Sequence, residues 1–312
     1  MHGKLTGAAV LAIGLAVAGC QEGQTSATAP DIPFAPERDT SLTDPDNPTK
    51  VFRVDFAKVE AAYPLSTADL SQITQANLRA LTQEQIDQIY GRLAAGPIPD
   101  GPFVGDLFFP KGDSLESRLG EILGGIKGRI ADVEVKKLEF LGRSLWKGKV
   151  FYRDERVLRN YIEDLAILKP LLGDDTEDIL TTTIDRRSWL RVFAPKTDVW
   201  LLFPAKLYCG QSLVDSRRES IIIDYAYNDE LPNYRPQPDA LAGRKGLNVR
   251  DEIRMIRPGL YLGRAYINRV FLLNFTLYSA EIDAAEGEAF RQTGQTDEDC
   301  WVGEQQRAVA IN

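Results

Sequence analysis

The strongest constraint on the fold is a series of strand-like runs joined by tight turns in the last third of the chain. Two runs, 249–257 and 260–268, are separated only by Pro258-Gly259, and Asn268-Arg269 supplies the next bend before a third run. Residue pairs of these types are typical of tight turns between neighbouring strands. Because connections this short join antiparallel neighbours, the sequence predicts a consecutive antiparallel meander.

Earlier parts of the chain extend this pattern and add a helical region. Further strand-like runs occur at 103–109, 145–152, 199–209 and 220–226. Seven or eight such strands are enough to close into a lipocalin-like barrel. Residues 51–140 otherwise show apolar residues at helical spacing. The predicted fold is therefore α+β, with a short N-terminal helical segment followed by an antiparallel β-meander or barrel.

The predicted division of the folded part has two regions. Residues 51–140 form a mainly helical segment with one strand, in which Thr82 and Gln85 are spaced as a capping box. Residues 141–312 form the antiparallel β domain. Within it, the polar residues 229–248 make a long loop, and loops of that size in a compact sheet are often functional or mobile.

The first twenty residues indicate where the chain is located. Lys4 precedes an uncharged apolar run that is too short to span a bilayer and that ends at Val17-Ala18-Gly19-Cys20. This pattern resembles the signal peptide of bacterial lipoproteins. The resemblance implies a signal peptide over residues 1–19, cleavage before Cys20 and acylation of its thiol with palmitate-type chains. An ordinary secretory signal and a buried helix with an incidental cysteine are the alternatives.

A lipidated Cys20 predicts a location in the bacterial cell envelope, on the periplasmic side. Gln21 replaces the Asp that retains some lipoproteins in the inner membrane, which favours the outer membrane. Residues 20–50 are rich in Thr, Ser, Pro and Asp, so we expect a disordered tether. The net charge of −8 argues against nucleic acid as a partner and leaves membrane attachment to the lipid.

The distribution of histidine excludes several chemistries. The single histidine, His2, lies in the leader, so a processed chain has none. Catalysis by Ser-His-Asp or Cys-His groups and metal or haem binding through histidine are therefore excluded from this chain. We predict no metal site and no cofactor, and any catalysis must use carboxylates, Tyr, Lys or a Ser-Lys pair.

The cysteine count predicts one disulfide. With Cys20 acylated, Cys209 and Cys300 remain. An even remainder in an oxidising compartment favours a disulfide between them over two unpaired thiols.

Several motifs in the β region resemble a family of bacterial proteins with no established activity. The matching runs are Trp146–Phe151, Arg250–Arg254, Pro258–Gly263 and Asn274-Phe275. The resemblance implies one continuous domain there and no particular chemistry.

The run from Arg250 to Met255 carries charges on both faces of its predicted strand. Arg250, Glu252 and Arg254 share one face, for which we favour a solvated salt-bridge ladder over an anion site. Asp251 shares the other face with apolar residues. A carboxylate there requires a partner, for which Arg217, Arg218 and Arg264 are the candidates.

The aromatic residues of the last strands suggest a function. We expect Tyr261, Tyr266 and Phe275 to line an apolar pocket and Asp251 with Arg264 to orient a ligand at its mouth. The predicted function is a non-enzymatic envelope lipoprotein that binds a hydrophobic ligand or a partner protein.

The alternative is a hydrolase of envelope polymers that uses carboxylate or Tyr groups. It requires Asp224, Asp251 and Glu252 to converge in one cleft.

Overall fold

The computed structural model describes residues 28–37, 54–109, 146–162, 200–296 and 300, and its central feature is a closed barrel of eight antiparallel strands. Each strand pairs with the next in sequence, and β8 pairs back with β1. The predicted α+β class and the barrel are thereby confirmed. The strands are β1 (Gly101–Phe108), β2 (Trp146–Tyr152), β3 (Val157–Ile162), β4 (Trp200–Gln211), β5 (Glu219–Asp224), β6 (Val249–Arg257), β7 (Leu260–Ile267) and β8 (Val270–Tyr278).

The last three strands follow the sequence pattern closely. Pro258-Gly259 forms the β6–β7 turn, and Asn268 and Arg269 both adopt positive φ in the β7–β8 turn. Two adjacent residues with positive φ are what a type I′ hairpin requires. β3 has no counterpart among the predicted strands, because its central Arg159 and Asn160 are polar yet buried and hide the alternation.

Four helices form an arm against the outer wall of the barrel. Within this helical arm (residues 56–92), Thr82 caps the last helix by accepting from the backbone N–H of Gln85, and the expected capping box is present. Ile86 and Ile89 of that helix pack with Ile256 and Leu262 from outside the barrel. The helices are α1 (Phe56–Ala62), α2 (Thr67–Gln72), α3 (Gln75–Leu78) and α4 (Gln83–Arg92).

The residues described beyond the arm include two further α-helices and a short 3₁₀ helix (Asn228–Glu230). A four-residue helix, α5 (Pro236–Asp239), lies in the loop between β5 and β6. The longer α6 (Ala280–Thr293) follows β8, begins at the Ser279 cap and ends at Gly294 in the left-handed conformation. Among the described residues, no helix combines the length and apolar character needed to cross a membrane.

β1 belongs to the barrel rather than to the helical segment in which the sequence placed it. It lies between β2 and β8 and closes the barrel. The expected boundary between residues 140 and 141 lies outside the described residues, as does the expected lipidation site at Cys20.

Part of the segment expected to be a disordered tether is docked on the helical arm. In this N-terminal strap (residues 28–37), Ala35 exchanges two hydrogen bonds with the side chain of Gln88, at 2.9 and 3.1 Å. The carbonyl of Pro33 accepts from Arg92 at 2.8 Å, and Ile32 is buried. A few apolar and proline residues therefore suffice to hold a polar stretch once a preformed surface is present.

The outer face of β6 carries the Arg-Glu-Arg row beneath the helical arm. Glu252 and Arg254 are both 0% exposed, so the expectation of a solvated ladder is wrong. Arg254 donates to the carbonyls of Tyr90 at 2.9 Å and Arg218 at 2.7 Å. Glu252 accepts from Arg250 at 3.1 Å. Alternation along a strand separates its two faces, but it does not reveal which face another segment covers.

One end of the barrel is closed by the chain that follows α4. In this closing segment (residues 94–98), Ala94 accepts from the backbone N–H of Met255 at 3.1 Å, and Gly96 accepts from that of Cys300 at 2.9 Å. Gly96 has φ +70°, and a Cβ there would lie 2.6 Å from the Cβ of Met255. Ala95 and Ile98 belong to the core inside the barrel, so the closing segment forms part of that core.

A disulfide joins Cys209 of β4 to Cys300 at the closed end, with Cα atoms 5.4 Å apart. This confirms the predicted pair. The bridge holds the chain beyond α6 against the closing segment, because Cys300 also donates to Gly96.

Replacing Cys209 and Cys300 together by Ala is expected to lower the free energy of unfolding. The two residues are 91 positions apart, for which the chain-entropy model gives a loss on the order of 4 to 5 kcal/mol. Urea denaturation under non-reducing conditions measures the change, and the reduced parent protein serves as the control. Equal midpoints for the variant and the oxidised parent would show that the bridge contributes nothing.

Candidate ligand-binding cavity in the barrel

The half of the barrel away from the closed end contains a cavity of about 220 Å³. Its wall is mostly apolar. Two further pockets, lined by closing-segment residues that include Ala95 and Pro97, lie at the other end and have a larger polar share in their walls. The apolar strand residues on the wall are Leu107, Trp146, Ile162, Phe203, Val249, Ala265, Ile267, Leu272, Leu273 and Phe275.

A buried lysine lies at the polar floor of the cavity. Lys149 is 2% exposed, and its ammonium donates to Asp251 Oδ2 at 2.9 Å, to the Tyr225 hydroxyl at 2.7 Å and to Asn160 Oδ1 at 2.9 Å. The indole of Trp146 also donates to Asn160 Oδ1, at 2.8 Å. Each of the three N–H groups of the ammonium thus has one acceptor, so the hydrogen-bonding capacity of this buried charge is fully used, as burial requires.

Lys149 and Tyr225, the two titrating groups beside Asp251, both keep their protons at neutral pH. Burial disfavours the ammonium of Lys149, but Asp251 and Tyr225 outweigh that effect and raise its pKa. Burial raises the pKa of Tyr225 to about 12. Lys149 is therefore a cation and Tyr225 a neutral phenol, so the floor contains an ion pair rather than an amine nucleophile.

The long loop between β5 and β6 covers part of the cavity. This covering loop (residues 225–248) contributes Leu241, Ala242 and Leu247 to the wall. Asp239 at the end of α5 holds it to the barrel by accepting from the backbone N–H of Phe203 at 2.7 Å. Burial raises the pKa of Asp239, which is 1% exposed. The loop predicted over residues 229–248 thus takes part in the candidate site.

The structure divides the five residues predicted to bind a ligand. Asp251 and Phe275 line the cavity. Tyr266 contributes to the wall, but its hydroxyl accepts from Arg264 at 3.0 Å. Tyr261 lies at the closed end, where its hydroxyl donates to the carbonyl of Pro97 at 2.8 Å.

The predicted pairing of Asp251 with an arginine is wrong. Arg264 pairs with Asp87 of the helical arm, and Arg217 pairs with Asp215 at 3.0 Å. The reason is register, because Arg264 lies opposite Glu252, whose side chain points outward, whereas Asp251 points inward. The partner that Asp251 has instead is Lys149.

Sequence reasoning missed the residues at the floor: Lys149, Tyr225, Asn160 and Trp146. One signal was present for Lys149, since it alternates with Gly148 and Val150 and shares a face with Phe151. The partners come from β2, β3, β6 and the end of β5, so no local spacing reports them.

The three carboxylates required by the hydrolase alternative do not converge. Asp251 faces the interior, opposite Ile223 on the neighbouring strand. Asp224 and Glu252 belong to the outer face, where Asp224 accepts from the Tyr208 hydroxyl at 2.8 Å. In the part of the chain that the structure describes, no cluster of His, Cys, Asp or Glu is placed to hold a metal ion.

Comparisons with known proteins add little to this geometry. No protein-family model and no curated protein matches the chain. Among solved structures, it is similar to the crystal structure of a protein from Thermomonospora curvata. The identity is 16%, the TM-score is 0.30, and the match covers 64% of this chain and 88% of that chain. Similarity at this level carries no argument about function.

Truncation of two aromatic residues on adjacent strands is expected to affect stability differently. Tyr261→Ala removes a ring packed edge-to-face on Phe103 and should cost about 3 to 5 kcal/mol of unfolding free energy. Phe275→Ala should cost less, because Phe275 lines the apolar pocket and has no bond equivalent to the one that the Tyr261 hydroxyl donates to Pro97. Thermal denaturation of both variants measures the difference. Equal losses would indicate that Phe275 is ordinary core and that the cavity is closed in solution.

Proposed function

We propose that the barrel binds one small, mostly apolar molecule in its cavity and that the protein acts as a non-enzymatic binding protein. The observation that carries the proposal is the apolar wall of this pocket of about 220 Å³, which contrasts with the mixed polar walls of the pockets beside the closing segment. Apolar surface in contact with water costs free energy, which a bound apolar ligand recovers by covering that surface. Barrels of eight strands have room for one such ligand.

The dimensions of the cavity suggest the size of the ligand. An apolar protein cavity of about 150 Å³ holds benzene. A cavity about half as large again suits a substituted benzene, a naphthalene-sized ring system or a chain of similar volume. The aromatic faces of Trp146 and Phe275, which contact each other edge-to-face, favour a ring.

The state of the floor residues favours binding over catalysis. A lysine nucleophile requires a lowered pKa, whereas the pKa of Lys149 is raised. The hydrolase alternative is less well supported, because it needs a pair of carboxylates. Asp251 is the single carboxylate on the described wall of the cavity.

We further propose that the protein is anchored in the bacterial cell envelope by a lipid on Cys20. The leader pattern is the main support. The Cys209–Cys300 disulfide adds independent support, because such bridges persist in oxidising compartments.

Filling the cavity is expected to weaken ligand binding without destabilising the fold. Ala265→Leu adds three carbon atoms to a side chain on the wall, while Ala285→Leu makes the same change on the exposed surface of α6. A neutral fluorescent probe, 1-aminonaphthalene, should bind the parent and Ala285→Leu alike, and Ala265→Leu at least about tenfold more weakly. Unchanged unfolding midpoints would exclude misfolding. Probe binding that is equal in all three proteins, or absent from the parent, would contradict the proposal.

The lipid anchor is tested by replacing its thiol. Cys20→Ser should abolish labelling by radioactive palmitate and release the protein from the membrane fraction, because no acyl chain remains to hold it. Gln24→Ser introduces the same residue four positions later and should leave both properties intact. A Cys20→Ser protein that still labels and still sediments with membranes would rule out this anchor.

A further inference from the structure

The floor of the cavity presents one hydrogen-bonding atom to a ligand, and that atom is an acceptor. All three ammonium hydrogens of Lys149 are directed to Asp251, Tyr225 and Asn160. The side-chain amide of Asn160 donates to the Phe203 carbonyl and to Tyr225, both at 3.0 Å. The Tyr225 hydroxyl and the Trp146 indole both donate to Asn160 Oδ1, at 3.3 and 2.8 Å, so the donors of the floor are already used within the protein.

Asp251 is only half satisfied. Its Oδ2 accepts from Lys149 and is 3.4 Å from the Tyr225 hydroxyl. Among the described residues, none hydrogen-bonds to its Oδ1. Oδ1 is also not among the described polar atoms that are both fully buried and without a hydrogen-bond partner. Because Asp251 is 5% exposed and lies on the cavity wall, its Oδ1 faces the cavity.

Charge restricts the ligand further. Lys149 and Asp251 neutralise each other at 2.9 Å, both with side chains less than a tenth exposed. A carboxylate ligand would bring an unpaired negative charge next to Asp251, and an ammonium ligand would leave an unpaired positive charge in an apolar space. Both arrangements are strongly unfavourable in a low-dielectric interior. A neutral ligand avoids both costs.

We infer that the ligand is a neutral, mostly apolar molecule with one hydroxyl or similar hydrogen-bond donor, and that this donor binds Oδ1 of Asp251. The inference rests on the proposed function, since it specifies what the same cavity selects. A buried lysine in a barrel would by itself favour a carboxylate ligand such as a fatty acid. Here the ion pair with Asp251 excludes carboxylates of similar size. The chemical class is that of small phenols and alcohols.

A matched set of four compounds tests the inference by isothermal titration calorimetry at pH 7. The compounds are 4-ethylphenol with a donor, 4-ethylanisole with an acceptor only, 4-ethylbenzoate with a negative charge, and 4-ethyltoluene with neither. The phenol should bind at least about tenfold more tightly than the other three, because a hydrogen bond to a charged acceptor has a larger net effect than one between neutral groups.

Substitutions assign the preference to Asp251. Asp251→Asn should reduce the preference for the phenol over the anisole. Since this change leaves Lys149 without its anionic partner, a second variant replaces both by apolar residues, Lys149→Met with Asp251→Leu. Such exchanges of a buried pair are often tolerated. The double variant should bind 4-ethyltoluene and 4-ethylphenol equally. Asp224→Asn makes the same amide change on the outer face of the neighbouring strand and should keep the parent's preference.

The outcomes separate the two proposals. If the parent binds none of the four compounds, the proposed binding function fails and the inference fails with it. If the parent binds 4-ethyltoluene or 4-ethylanisole as tightly as the phenol, the binding function stands and the donor inference is overturned. Tightest binding of 4-ethylbenzoate would also overturn it, because Lys149 would then be the group that recognises the ligand.

Discussion

The buried guanidinium of Arg254 is the interaction on which the arrangement of the rest depends. It joins three parts of the chain, because it donates to carbonyls at the end of α4, at Asp215 and Arg218 before β5, and at Glu219 within β5. Its plane also lies 4.8 Å from the centre of the Tyr90 ring. A buried cation without such partners is strongly destabilising, so the helical arm, the loop before β5 and the barrel wall must assemble together.

This assembly determines which end of the barrel is open. Fixing the end of α4 places the closing segment across the barrel, where Met255 and Tyr261 hydrogen-bond to it. The other end has no comparable plug among the described residues, and the covering loop lies there instead. The ion pair of Lys149 and Asp251 marks the boundary between the two halves. Its side chains fill the centre of the barrel without requiring either charge to remain unpaired.

Local patterns in the sequence were sufficient for the features that depend on neighbouring residues. The β6–β8 hairpins and the Thr82 capping box follow from turn types and spacing. The pairing of Cys209 with Cys300, 91 positions apart, was predicted instead by setting Cys20 aside among three cysteines. The separation of Arg254 from Asp251 on opposite faces also follows from alternation. Alternation does not predict which strands lie across the barrel from each other. It therefore could not predict that Lys149 of β2 contacts Asp251 of β6. β3 was missed for the same reason, since its buried polar residues are satisfied by distant partners.

The docked strap has a consequence for the proposed lipid anchor. Along the chain, the proposed lipid on Cys20 and the first described strap residue, Thr28, are eight positions apart (28 − 20 = 8). A fully extended leash of eight residues reaches about 29 Å, whereas a free tether over residues 20–50 would reach about 108 Å. The shorter reach is close to the thickness of a hydrocarbon core, about 30 Å. With that anchor, the strap would stay within about 29 Å of the lipid, so the folded part would remain next to the bilayer surface.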